Sequence, residues 1–324
     1  MRLQTGEVKR VLTGIHVLLT YRCTQECDHC FLHCGPHRAG AFTLPQLRAL
    51  FDEMGRIGTI RTVYFEGGEP FLHYATLLEG VRMARAAGLA AGIVTNAFWA
   101  TSSEDARGCL RPLGELGLAD LSVSDDEFHD TGSADRPAKL AQQAAAELGL
   151  PCAAVCIERP RAREPQARGR QGKPVVGGQV LFKGRAAERL TAGLPARCVA
   201  EMISCPHEDL ASPERVHVDQ YGHVHLCQGI SMGNMWTTPL SVLVRDYDPA
   251  KHPIVGPILR GGPAQLARDF GFDTSGPFVD ECHLCYTIRK SLAPRFPEWL
   301  APIAVYNLAE PGAPLAFARI ARTN

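Results

Sequence analysis

The chain has 324 residues, 45% hydrophobic and 21% charged, with Lys+Arg 34 balanced by Asp+Glu 34. This is the profile of a globular chain long enough for two domains or one large α/β unit. Gly 31 and Pro 23 together make up about 17% of the residues, which excludes a disordered or fibrous chain, and the formal charge of zero argues against a nucleic-acid partner, whose binders carry a basic surplus.

The most apolar early run, Val11 to Leu19, contains His16 and is far shorter than the roughly 20 residues needed to cross a bilayer. It predicts a strand, Ile15 to Thr20, and no membrane span. No small-residue cleavage site follows Met1-Arg2-Leu3-Gln4 before Tyr21-Arg22-Cys23, so a cytoplasmic protein is expected. Thr43 and Gln46 then form a capping-box signal, and Leu44, Leu47, Leu50, Phe51, Met54 and Ile57 share one helical face. A strand over Thr62 to Glu66 leads to a helix over Tyr74 to Ala87, closed by Gly88. Further strands are predicted at Ala91 to Thr95, Asp120 to Ser124, Cys152 to Glu158 and Gln179 to Lys183. Helices fall near Ser103 to Leu116 and over Pro137 to Leu148, the latter closed by Gly149. Six strands alternating with helices over residues 1–195 indicate an α/β fold with a parallel sheet. After Leu194-Pro195 cysteines, histidines and loop residues dominate, and a second, smaller domain is expected over residues 196–324. Two stretches stand apart: a basic one from Arg159 to Lys173 (Arg159, Arg161, Arg163, Arg168, Arg170, Lys173), and a Pro- and Gly-rich one from Tyr247 to Pro263. The basic stretch could hold an anionic substrate or a peptide, although such runs are usually solvated.

Twelve cysteines are too few for a disulfide scaffold and are unevenly spaced, which favours metal or catalytic use in a reducing compartment. Cys23, Cys27 and Cys30 are spaced C-x3-C-x2-C just after the first strand. One loop so built can give three thiolates to a cubic iron–sulfur cluster and leave its fourth iron open to a substrate or cofactor. The second strand runs into Glu66-Gly67-Gly68-Glu69-Pro70, where glycines permit close backbone approach and a carboxylate can accept hydrogen bonds from an amino group. Strands three and four end in Val94-Thr95-Asn96 and Ser122-Val123-Ser124-Asp125-Asp126. These motifs all fall at the carboxyl ends of successive strands, the face on which barrel enzymes build their sites.

The three-cysteine loop together with Gly-Gly-Glu-Pro resembles the radical S-adenosylmethionine (SAM) enzymes. The resemblance implies a partial (β/α)6 TIM-like barrel, a [4Fe–4S] cluster on Cys23, Cys27 and Cys30, and SAM on its open iron. It further implies that Gly67, Gly68, Glu69 and Pro70 meet the methionine part of SAM, with Glu69 on the amino group. Asn96, Ser122 and Ser124, with Thr95 and Asp125, are expected near the ribose, and His29 stands where the family usually has an aromatic residue near the adenine. No residue is singled out for the chemistry on the substrate. Gly184-Arg185-Ala186 resembles a turn found in relatives with a C-terminal cluster domain.

Cys205, then Gly222 and Cys227 around a hairpin turn at Asp219 to His223, then Cys282 and Cys285, resemble the SPASM and twitch extensions of that family and imply a second, auxiliary [4Fe–4S] cluster. Cys198 is an alternative ligand. Two zinc readings stand beside this one: a site of Cys27 and Cys30 with Cys282 and Cys285, or a closed site on the four C-terminal cysteines with His207, His223, His225 and His283 competing. Cys34, Cys109, Cys152 and Cys156 remain, the last two sharing a parity that would face both into the barrel, though small buried cysteines are usually core. The expected function is reductive cleavage of SAM and hydrogen abstraction from a small-molecule or peptide substrate, with a flavodoxin- or ferredoxin-type electron donor. The alternative is a non-catalytic zinc or iron–sulfur protein, serving in binding or electron transfer. Since 22 residues precede Cys23, leader recognition would need a separate protein, which favours a small or unfused peptide substrate.

Overall fold

Strand β1 (Gly14–Thr20) is buried along its whole length except at His16 and sits inside the sheet. On one side follow β2 (Thr62–Gly67), β3 (Ala90–Thr95), β4 (Asp120–Ser124) and β5 (Cys152–Val155), each parallel to its predecessor. Helices α1 (Leu44–Ile57), α2 (Tyr74–Ala86), α3 (Ser103–Glu115) and α4 (Pro137–Glu147) provide the crossovers that parallel pairing requires. This computed structural model describes residues 11–129, 136–162, 175–176 and 178–309.

Local chemistry explains the boundaries. Thr43 caps α1 and the Gln46 side chain answers to the Thr43 backbone, while Gly58, at φ 73°, closes the helix in the left-handed region. Strand alternation then separates two faces. Val63, Phe65, Ala91, Ile93, Leu121 and Val123 are fully buried in the core, whereas His16, Tyr64, Glu66, Val94, Ser122 and Ser124, of the opposite parity, are half-buried on the inner face of an unclosed barrel.

The sixth parallel strand is not Gln179–Lys183. Those residues form bends leading into the short helix α5 (Arg185–Arg189). Phe182 buries itself with Ala186, Leu190 and Val279 in a small separate cluster, so an apolar run that reads as a strand is satisfied as a packed loop. The sixth place belongs to β8 (Arg215–Asp219), parallel to β1 on its other side. The sheet continues antiparallel through β9 (His223–Cys227) and β10 (Ile230–Asn234), in the order β10-β9-β8-β1-β2-β3-β4-β5. A two-stranded ribbon of β6 (Arg161–Ala162) and β7 (Val175–Val176) stands apart, and β5 stops at Val155, short of Glu158.

The Pro- and Gly-rich stretch is also more ordered than its composition implies. After α6 (Leu240–Asp246), helix α7 (Val255–Phe270) runs through it, broken at Gly261 and Gly262, and α8 (Glu281–Leu292) follows. Gly262 has φ 63°, and a Cβ there would lie 2.3 Å from the backbone of Ile203 and Ser204, so the kink admits the chain that carries Cys205. Among the described residues no helix is long and apolar enough to cross a membrane.

Candidate active site

The loop after β1 is held by backbone bonds rather than by its own cysteines. Cys23 N donates to Gly35 O at 3.1 Å, and Gly35 N returns to Tyr21 O at 3.3 Å. The end of β2 closes on the same segment: Gly68 N reaches Thr20 O at 2.7 Å and Glu69 N reaches Arg22 O at 2.9 Å. Only glycines fit, since a Cβ on Gly68 would sit 2.0 Å from Arg22 O, and Gly67 has φ 124°. Gly184 is equally confined against Cys30 and Phe31. Beside it the buried Arg185 ties the loop down: its backbone N donates to Cys30 O at 2.9 Å, and its guanidinium to Cys27 O at 2.7 Å and to Cys34 O.

Cys23, Cys27 and Cys30 line a cavity of about 150 Å3 with His29, Gly67, Gly68, Thr95, Asn96 and Ser124. A second cavity, about 110 Å3, shares Asn96 and Ser124 with the first and adds Asp125. Burial pushes the Cys23 thiol up to about 11 and the Cys27 thiol up to about 12. A hydrogen bond from Cys34, helped by the Arg185 charge, brings Cys30 down to about 6. Glu69 is fully buried and does not line the cavity: its carboxylate accepts from Thr95 Oγ1 at 2.8 Å, Asn96 N at 2.8 Å and Phe71 N at 3.1 Å. Burial raises its pKa to about 7 despite those donors. Glu69 thus anchors the end of β3, and Asn96 Nδ2 reaches toward Cys23 Sγ at 3.5 Å. Pro70 is buried behind it.

Ser122 is set apart from both cavities and donates to Asp120 Oδ2 at 3.0 Å. The Asp125 carboxylate faces Lys139 Nζ at 2.6 Å and Arg136 at 3.3 Å. His29 is half-buried against Phe128, with ring centroids 4.5 Å apart, and near His129, whose Nδ1 is 2.7 Å from Asp126 Oδ1. Burial lowers the His29 pKa to about 4, so the ring is neutral near pH 7 and free to stack. Phe128 and His129 lie past the end of β4, where no periodic signal marks them.

Cys205, Cys227, Cys282 and Cys285 meet around a separate, much smaller cavity of about 20 Å3. Cys198 is exposed and does not line it, nor do His207, His223, His225 or His283. Cys27 and Cys30 are not there either, which removes the mixed four-cysteine zinc site. Two almost fully buried cations border the four thiols. Lys183 Nζ lies 3.5 Å from Cys227 Sγ, and Arg289, which lines the same cavity as Cys285, donates to Gln228 O at 2.9 Å and to Tyr306 Oη at 3.1 Å. Burial, with the neighbouring Cys227 and Cys205 adding to it and the Arg289 charge opposing it, pushes Cys285 up to about 11. The sequence carries a signal for Arg289, which stands four residues after Cys285 and so on the same helical face. For Lys183 the signal was the Gly-Arg-Ala turn that it precedes: Lys183-Gly184-Arg185 bridges the two cysteine sets. None of the twelve cysteines is in a disulfide. Cys34 is buried beside Cys30, Cys109 and Cys152 pack against the core, and Cys156 is exposed beyond the end of β5. Arg159 pairs with Glu127 at 3.0 Å and Asp28 at 3.5 Å, and Arg161 is exposed; Arg163, Arg168, Arg170 and Lys173 lie outside the described residues.

Comparison with known proteins adds independent findings. Residues 17–142 match the family model of the radical SAM superfamily. Over 115 residues the chain is 28% identical to YydG of Bacillus subtilis (strain 168), described as a peptide biosynthesis protein, and the match covers 36% of each chain, about a third of that relative's length. Among solved structures, BtrN in complex with AdoMet and 2-DOIA aligns with a TM-score of 0.49 and 18% identity over 74% of this chain and 84% of that one. SuiB of Streptococcus suis bound to precursor peptide SuiA aligns at 0.39 and 13%, over 85% and 76%.

Proposed function

We propose that this chain is an enzyme of the radical SAM superfamily, whose family model matches residues 17–142, that Cys23, Cys27 and Cys30 hold a [4Fe–4S] cluster and that SAM binds in the adjoining cavity. The observation that carries this reading is the convergence of the three thiols, the Gly67-Gly68 backbone, Asn96 and Ser124 on one cavity at the carboxyl ends of four strands. When bound, such a cluster and SAM together supply one-electron cleavage of the sulfonium and a 5′-deoxyadenosyl radical that abstracts hydrogen from a substrate.

The chain's own residues set the conditions for that chemistry. Arg185 and Gly68 fix the loop so that three thiolates point one way. The Gly67-Gly68 backbone receives the methionine end of SAM, Glu69 holds Asn96 and Thr95 in position, Asn96 and Ser124 face the ribose, and His29 stacks near the adenine. Asp125, tied to Lys139, borders the outer cavity.

The thiols of Cys205, Cys227, Cys282 and Cys285 fit a second [4Fe–4S] cluster better than a zinc ion. Among the described residues no cysteine belongs to a set of three ligand atoms lying within 4.8 Å of one another, whereas zinc–sulfur bonds of about 2.3 Å require tetrahedral edges of roughly 3.8 Å. We assign the auxiliary cluster to residues 196–324, which join the barrel sheet through β8, β9 and β10, a flavodoxin- or ferredoxin-type protein as electron donor, and the cytoplasm as compartment. The substrate is a peptide or small molecule, the kinship with a peptide biosynthesis protein favouring the peptide.

The test is anaerobic purification with iron and sulfide assay, followed by dithionite and SAM and detection of 5′-deoxyadenosine. About eight irons per chain are expected for two [4Fe–4S] clusters. Cys27→Ala should abolish nucleoside release, and Cys282→Ser should halve the iron while sparing the first cluster. Stoichiometric zinc without nucleoside, or activity surviving in Cys27→Ala, would refute the assignment.

A further inference from the structure

We propose that His16, Glu66 and His217 form a site for one divalent first-row transition-metal ion on the inner wall of the barrel, apart from both cysteine sets. The three residues come from adjacent parallel strands. His16 on β1 is in register with His217 on β8 and with Tyr64 on β2, and Glu66 follows Tyr64 on the same face. One ligand atom from each lies within 4.8 Å of the other two.

The distances suit coordination. Glu66 Oε1 is 3.1 Å from His217 Nε2 and 3.3 Å from His16 Nδ1. With metal–ligand bonds of about 2.1 Å, two ligands at roughly 90–109° on one ion stand ~3.0–3.4 Å apart. A self-contained hydrogen-bonded cluster fits less well. His16 Nδ1 is buried, and its 3.3 Å approach to the carboxylate falls short of hydrogen-bond geometry. Gln228 Nε2 also lies 3.4 Å from His217 Nε2, on the same side of the ring as Glu66.

The wall behind the site is rigid. His16 stacks on Tyr64 with centroids 5.1 Å apart and 19° between planes. Gly92 makes room for that ring, since a Cβ there would sit 2.3 Å from Tyr64 Cε1. Two imidazoles and one carboxylate suit zinc, iron(II), manganese or cobalt better than calcium or magnesium. Three protein ligands leave coordination positions open, and Glu66 also lines the cavity beside the cysteine loop.

The inference does not rest on the reading of the cysteine sites, because no cysteine contributes to it. To test it, anaerobically purified, iron-loaded protein is equilibrated with Zn2+, Mn2+ or Co2+ in turn, desalted, and analysed for metals. We expect about one such ion per chain in addition to iron. In Glu66→Gln, His217→Gln and His16→Gln, affinity for that ion should fall more than about tenfold while iron and sulfide stay at the wild-type level, which shows that the variants fold. Wild-type protein that retains no ion, or variants that all retain it equally, would overturn the proposal. Retention of the ion without SAM cleavage would support this site while counting against the cysteine-site reading.

Discussion

Gly68→Ala is the sharpest test of how the candidate active site is held. An ideal Cβ at Gly68 falls 2.0 Å from Arg22 O and 2.5 Å from Arg22 C, both backbone atoms that no side-chain rotation can clear. The two strands must therefore part, which loses the bonds from Gly68 N to Thr20 O and from Glu69 N to Arg22 O. At about 1 kcal/mol net for each hydrogen bond and about 1–3 kcal/mol for overpacking, the substitution should destabilise by roughly 3–5 kcal/mol. At about 2 °C per kcal/mol for a chain of this size, Tm should fall by about 6–10 °C. Iron at the first cysteine site should fall with it, because the displaced segment leads directly into Cys23. Gly108→Ala is the control: it lies in α3 with no atom within 4 Å of the added carbon, so helix propensity should raise stability by about 0.5–1 kcal/mol. Thermal unfolding of the cluster-loaded proteins, with iron assay, reads both. A Gly68→Ala protein with wild-type Tm and iron would refute the claim that this close approach builds the site.

Three further predictions follow from other contacts. Arg185→Lys keeps the charge but loses the fork that reaches Cys27 O and Cys34 O, so it should cost about 2–4 kcal/mol and deplete first-site iron, measurable by iron assay and unfolding. Lys183→Met removes a buried cation 3.5 Å from Cys227 Sγ; iron at the second site should fall while nucleoside release in the presence of dithionite persists. Asp219 is buried, which opposes its ionisation, yet His223, His225 and the Tyr21 hydroxyl hold its carboxyl well below the usual carboxylate range. The stability it contributes is therefore present above about pH 4, the unfolded value, and is lost as pH falls further. Asp219→Asn should cost about 3–5 kcal/mol at pH 7 and flatten the acid limb of a stability–pH curve, and an unchanged limb would contradict the assignment.

Local patterns carried much of this protein. The capping box at Thr43, the left-handed closure at Gly58 and the parity of β2 to β4 involve residues a few positions apart, and the same short-range rules that act on the chain can be read from it. The cysteine spacing and the Gly67-Gly68 pair were legible for the same reason, and these residues line one cavity. Tertiary packing decided the rest. Val180-Leu181-Phe182 has the composition of a strand but finds its burial in a loop, and Arg215–Asp219 takes the sixth place because β1 offers a free side. Glu69 meets the end of β3, Arg185 spans more than 150 positions to bind the cysteine loop, and His16 meets His217 only across paired strands. Such partners are chosen by which surfaces the folded chain brings together, and long-range contact leaves no periodic trace in the order of residues.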